Sequence, residues 1–368
     1  MPTLWAMLPA AVLTFAVPGR STVDRALPVS YTLAVVAKTG DTIAGRTLTG
    51  FHLPSFGLNA PAINTNGRVA FYATYTQGNF GGEGIFTPTS LVLMTGDVVS
   101  GQTVEGIGFV PALNDRGTVA VRCRLSSQSF ALYTPTILLV KTGDSIGGQV
   151  LADVGPPAIN NNGTVAFAGW FSGGTGIFTP SALLVSSVDS IAGKGPISFG
   201  PPSINEHGAI AFQSWFSGGG ILTAISTPTT LLVKTGDTIG GKTLTNLFFG
   251  SALSSGGDVA FVGVFADGTG VFTQKDLLVQ AGDKIGGQTL ATFGFPVISD
   301  NGTVAFFATY PGGEGIFTQK TIIAKTGDTL EGKTLIGVGQ PAISQGGIVA
   351  FEAQFSDRSS AIVLARPR

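Results

Sequence analysis

Residues 296–328 read PVISDNGTVAFFATYPGGEGIFTQKTIIAKTGD, and this stretch decides the fold. Pro296-Val297-Ile298 is a short apolar run, and Ser299-Asp300-Asn301-Gly302 is a turn in which glycine supplies the positive φ a tight connection needs. Thr303 to Tyr310 is rich in β-branched and aromatic residues, the composition of a strand. Pro311-Gly312-Gly313 breaks it. Gly315-Ile316-Phe317-Thr318 begins another strand, and Thr321 to Lys325 is a fourth, ended by Thr326-Gly327-Asp328. Four short antiparallel strands of this kind make one blade of a β-propeller.

The pattern Asn/Ser-x-x-Gly-x-x-x-Phe recurs seven times, about 46 residues from copy to copy, which is the mark of a propeller or solenoid. The copies are Asn64/Gly67/Phe71, Asn114/Gly117/Val121, Asn160/Gly163/Phe167, Asn205/Gly208/Phe212, Ser254/Gly257/Phe261, Ser299/Gly302/Phe306 and Ser344/Gly347/Phe351. From the motif Phe onward, alternate positions run large-small-large, as in Phe167-Gly169-Phe171 and Phe306-Ala308-Tyr310, so a neighbouring sheet is expected to fill the gap. The second copy departs from this with Val121-Cys123-Leu125. A Thr-Gly-Asp-like turn also recurs, at Asp41, Asp97, Asp144, Asp189, Asp237, Asp283 and Asp328. Ile-Gly-Gly follows it in several copies and suggests a tight hairpin between blades.

The offset between the two repeats predicts how the ring closes. Tyr31 to Asp41 has no motif glycine before it, whereas Ala361–Leu364 has no fourth strand after it. Pairing Leu33–Ala37 beside Ala361–Leu364 completes the last blade and removes both edges. The expectation is an all-β, seven-bladed β-propeller of four-stranded blades over residues 29–368, the N-terminal strand completing the last blade.

Composition narrows the function classes. Of 368 residues, 11% are charged and the net charge is −1, so there is no basic field for nucleic acid and no acidic tail for a cationic partner. Cys123 stands alone, which excludes an intrachain disulfide and a cysteine metal site; a buried small residue is its simplest reading. Residues 1–28 form a separate segment in which Leu4 to Val17 is apolar, too short for a bilayer but of signal-peptide length. It lacks a basic start and an Ala-x-Ala site, so a degenerate export signal and a packed extension are both open. No other stretch reaches transmembrane length.

The motif, with Gly-Ile-Phe and Gly-Asp at fixed offsets, resembles a bacterial tandem-repeat family named for NxxGxxxF, over residues 31–364. Members are exported surface proteins, often ending in one of several alternative C-terminal anchors. The resemblance implies a propeller-like fold and an extracellular or cell-surface location. It implies no activity and supplies no catalytic residues. The sequence as read, ending Leu364-Ala365-Arg366-Pro367-Arg368, shows no such anchor.

No catalytic constellation stands out. His52 and His207 have no Ser or Cys partner at a recognisable spacing, and His207 reads as an exposed turn residue. The seven turn aspartates stand singly, so hydrogen bonding to nearby backbone N–H groups explains them better than calcium. No cofactor and no metal are expected. A residue needed once should break the repeat, and four do. Arg122 and Arg124 replace residues such as Tyr72 and Thr74; they suit an anion or, more simply, an ion pair between blades to Glu352 or Asp267. Trp170 and Trp215 each stand in Trp-Phe-Ser-Gly-Gly and suit stacking on a sugar or packing between blades. Glu83 and Glu314 are equivalents in distant blades and too repetitive for an acid/base pair. The expected function is an exported, monomeric, non-enzymatic module binding glycan or protein at a loop face. A carbohydrate-active hydrolase or lyase on the same scaffold is the alternative.

Overall fold

The computed structural model describes residues 30–51, 60–108, 110–126, 129–217, 222–248, 250 and 252–368. The segment 1–28 and His52 lie outside these. Among the described residues there is no helix; the chain forms short antiparallel strands grouped into seven blades. Blade 3 shows the plan. Its inner strand Gln149–Ile159 pairs with the motif strand Val165–Phe171, which pairs with Gly174–Thr179 and then with the outer strand Ala182–Ser186. Blade 6 matches the reading of its sequence, with Val297–Ile298, Val304–Tyr310, Gly313–Thr318 and Ile322–Lys325 side by side.

The ring closes as the offset predicts. Tyr31–Lys38 pairs antiparallel with Ser360–Pro367, with Ala34 opposite Leu364 and Lys38 opposite Ala361. It is therefore the outer strand of blade 7, and Ser360–Pro367 is paired on both sides. Each blade donates its last strand before the chain turns inward to the next.

The core lies between blades. Phe167, Phe171 and Phe178 of blade 3 pack against Ala120, Leu132 and Val140 of blade 2. On the opposite face, Ala166, Ala168 and Ile177 meet Phe199 and Phe212 of blade 4. The large-small-large stripe has a different explanation from the expected one. The gap over Gly169 is filled from within the blade: a Cβ there would stand 2.9 Å from the Phe178 ring and 3.0 Å from Leu151. Phe178 stacks on Phe167 at 5.7 Å and meets Phe171 edge-on at 6.2 Å. A diagonal ring on the adjacent strand is closer than the neighbouring sheet, so it takes the space first.

The turn aspartates act as the sequence suggests. In all seven turns one carboxylate oxygen accepts the backbone N–H three residues earlier, at 2.7–2.9 Å, as from Lys38 to Asp41 and from Lys325 to Asp328. The hairpin that follows folds back over the cleft between blades and buries an isoleucine or valine there in six of the seven, for example Ile146 against Phe167 and Phe178; in the last, Leu330 is half-buried.

Candidate functional site

The two ends of the propeller differ in chemistry, and the motif turns build one of them. Asn64 Oδ1 accepts N–H groups of its own turn from Asn66 and Arg68, while Nδ2 donates to the Asn114 carbonyl of the next blade. Asn114, Asn160 and Asn205 repeat this step to Asn160, Asn205 and Ser254. From blade 5 onward the residue is Ser: Ser254 Oγ accepts from Asp258 N and Ser344 Oγ from Ile348 N, whereas in blade 6 Asn301 Oδ1 accepts Thr303 N–H and Ser299 Oγ donates to the Thr303 carbonyl. The shorter side chain cannot also reach across to the next blade.

The residue after the motif Asn or Ser completes a ring around the channel. Thr65 donates N–H and Oγ1–H to the Asp115 carboxylate, and Asp115 N–H donates to Asn161 Oδ1. Asn161 N–H donates to Glu206 Oε2, and Asn205 Nδ2 reaches the Ser255 carbonyl. Ser255 N–H donates to Asp300 Oδ1 and Asp300 N–H to the Gln345 carbonyl, and Gln345 Oε1 lies 3.3 Å from Thr65 Oγ1. A chord crosses the middle, with Gln345 Nε2 donating to Glu206 Oε1 at 3.2 Å. The three acids of this ring, Asp115, Glu206 and Asp300, are thus engaged in holding turns together. Sequence reasoning passed over this position; its signal was a residue that is polar in every copy.

Inside the ring the channel is apolar. A cavity of about 320 Å³ is lined by all seven blades, with Pro61, Pro111, Pro156, Pro157, Pro201 and Pro202 among its walls. The prolines suit an inner strand whose N–H side has no further strand to meet. Among the described residues no carboxylate lines the cavity.

The residues that break the repeat gather toward the other end. Arg124, Trp170 and Trp215 occupy one register on the motif strands of blades 2, 3 and 4, opposite Gly106, Asp153 and Ser198 of their inner strands. Trp170 is 39% exposed. A Cβ on Gly155 would lie 3.5 Å from the Trp170 ring, and one on Gly200 at the same distance from the Trp215 ring. Each indole therefore lies against a glycine of its own blade, Gly155 within the inner strand and Gly200 just after it. Arg124 pairs with the Glu105 carboxylate at 3.3 Å and the Glu105 carbonyl, and remains half exposed.

Arg122 sits two residues deeper and joins blades 2 and 3. Its Nη2 reaches both oxygens of Asp153 at 2.9 and 3.2 Å, Nε donates to the Val154 carbonyl, and the guanidinium covers the Phe130 ring at 3.7 Å. An ion pair between blades was the simpler expectation, but the partner is Asp153 rather than Glu352 or Asp267. A residue on a motif strand faces the next blade's inner strand, and Asp153 is the acid there. Asp267 instead pairs with Lys242, and Glu352 stands on blade 7.

The remaining candidates resolve into structural roles. Glu83 Oε1 accepts Ile107 N–H and Glu314 Oε1 accepts Val338 N–H, each tying its blade to the next at a bulge of the inner strand. Thr223 serves Leu247 N–H in the same way. Cys123 is buried, and burial pushes its thiol up to about 12 although Arg122 pulls the other way. His207 is exposed in its turn, with its backbone N–H on Asn205 Oδ1. Among the described residues no three His, Cys, Asp or Glu side chains gather as a metal site would require. No described helix is long and apolar enough to cross a membrane.

Residues 28–321 match the model of a family of unknown function (DUF7453). No curated protein matches the chain. Among solved structures, the chain is similar to the β-propeller domain of Cps50 (Swd1) from Myceliophteria thermophila at 10% identity and a TM-score of 0.43, covering 87% of this chain and 99% of that one. It is also similar to virginiamycin B lyase from Staphylococcus aureus at 11% identity and a TM-score of 0.37, covering 92% of this chain and 100% of that one. Neither likeness bears on activity.

Proposed function

Because the chain belongs to the DUF7453 family, whose function is unknown, we propose from its own surface that it is a non-enzymatic binding module on a seven-bladed propeller, taking a glycan at the end away from the motif turns. The observation that carries this reading is the register row Arg124, Trp170 and Trp215 on three consecutive blades. Two indoles backed by glycine offer flat apolar faces at the spacing of adjacent blades, and a half-exposed guanidinium beside them can donate to sugar hydroxyls or a carboxylate. Arg122 supports the row from below through Asp153. Export and surface placement, as a monomer, belong to the same proposal and rest on the repeat motif.

The alternative, a hydrolase or lyase, requires two carboxylates, or an Arg/Tyr/Asp cluster, converging at one mouth of the channel. The carboxylates nearest the channel, Asp115, Glu206 and Asp300, are each taken by backbone or side-chain donors. Screening the purified chain on a glycan array and titrating the best ligand into the Trp170→Ala and Trp215→Ala variants tests the reading. Each variant should bind about tenfold more weakly or worse, with unchanged melting. An empty array together with a hydrolytic or eliminating activity on polysaccharide would discard it.

A further inference from the structure

A second cavity, of about 560 Å³, lies at the motif-turn end between blades 7, 1 and 2; it adjoins the channel cavity through Leu113 and shares no lining residue with the tryptophan row. Its walls are apolar, with Leu364 from blade 7, Leu91 and Val92 from blade 1, and Leu113 and Val119 from blade 2. Blade 1 adds a rim of Thr87, Thr89 and Ser90, and Thr87 and Ser90 bond each other through their hydroxyls at 2.6 Å. Among the described residues the single charged one in the lining is Arg68. It is exposed, and among the described residues it has no carboxylate within ion-pair distance.

Arg68 is peculiar to blade 1. The residue after the motif glycine is Thr118, Thr164, Ala209, Asp258, Thr303 or Ile348 in the others. Its guanidinium crosses to blade 2 and lies over Gly117, where a Cβ would stand 2.9 Å from Nη1. The absent side chain at Gly117 is what lets the cation lie there. An apolar pocket of small-molecule size with one unpaired guanidinium at its rim has a definite preference. A carboxylate can take the fork of Arg through two hydrogen bonds while an alkyl or aryl body replaces water on the walls. A cationic amphiphile is repelled by Arg68, and a neutral one gains no charge-assisted hydrogen bond from it.

We propose that this cavity binds a small monoanionic amphiphile, a free carboxylate with an apolar body, its head on Arg68 and its body along Leu91, Val92 and Leu113. The test uses decanoate, decanol and decyltrimethylammonium, each titrated into the full chain by calorimetry. Decanoate should saturate at one site, the ammonium analogue should not, and Arg68→Gln should weaken decanoate about tenfold while leaving decanol unchanged. Arg68 is exposed, so Arg68→Gln should melt like the parent, and Arg68→Lys should retain part of the affinity. Decanoate binding equally well to Arg68→Gln, as occupation of the uncharged channel cavity would give, overturns the proposal. So does an absence of saturation, or saturable binding of the ammonium analogue.

Discussion

At the residue scale, one column of the repeat carries most of the chemistry that varies. The position after the motif Phe is Tyr72, Arg122, Gln213 or Glu352 in blades 1, 2, 4 and 7, and it points toward the next blade. Arg122 and Gln213 each donate to an inner-strand carbonyl there, Val154 and Leu247. Glu352 in the same place is only 6% exposed, and among the described residues its Oε1 has no hydrogen-bond partner. Burial raises its carboxyl to about 8. A raised folded-state value means that Glu352 costs nothing below about 4.5 and destabilises progressively as pH rises toward about 8. Denaturant unfolding should therefore show stability falling across that window. Glu352→Gln should flatten the fall and be more stable than the parent at pH 9 by on the order of 2–3 kcal/mol. An unchanged pH profile in the variant would show that the carboxyl is solvated. The sequence marked this column through Arg122, but the burial of Glu352 depends on how closely two blades approach. No local pattern encodes that distance.

At the element scale, the hairpin between blades was legible from its glycines, and its geometry explains them. Gly240 and Gly241 have φ of 56° and 76°, so both central residues of the two-residue turn are left-handed, as a type I′ turn requires. Four hairpins put a non-glycine first: Ala44, Ser100, Ala192 and Glu331, at φ of 49–53°. A left-handed L-residue costs about 1 kcal/mol or more. Ala44→Gly should accordingly raise stability by about 0.5–1 kcal/mol, the lost loop entropy of glycine offsetting part of the gain. A shift of the urea midpoint measures it; a fall would mean that the Ala44 methyl packs more than the turn strains. The large-small-large stripe was also readable, but its cause was not. Alternation shows that a gap exists beside Gly169, whereas the side chain that fills it, Phe178, is decided by cross-strand diagonal geometry.

At the scale of the whole molecule, closure is the main device. The seam holds Tyr31–Lys38 to Ser360–Pro367, and Thr39 N–H adds a bond to the Ser360 carbonyl. Removing residues 1–38 should leave Ser360–Pro367 as an open edge in a ring that must still close. We expect a loss of cooperative melting and self-association, visible by sedimentation, and recovery when a peptide of residues 30–41 is supplied. A truncated chain that melts like the parent would place the seam outside the stability of the ring. The sequence by itself determined the blade, the number of blades and the strand that closes them, because each is written in local periods of two residues and of one repeat. Tertiary structure alone decided which side chains meet: Thr65 with Asp115, Arg122 with Asp153, Glu206 with Gln345 across 139 residues, and Arg68 over a bare glycine of the next blade. These pairs are brought together by the curvature of the closed ring, and a repeat that is nearly the same in every copy carries no label for its neighbours.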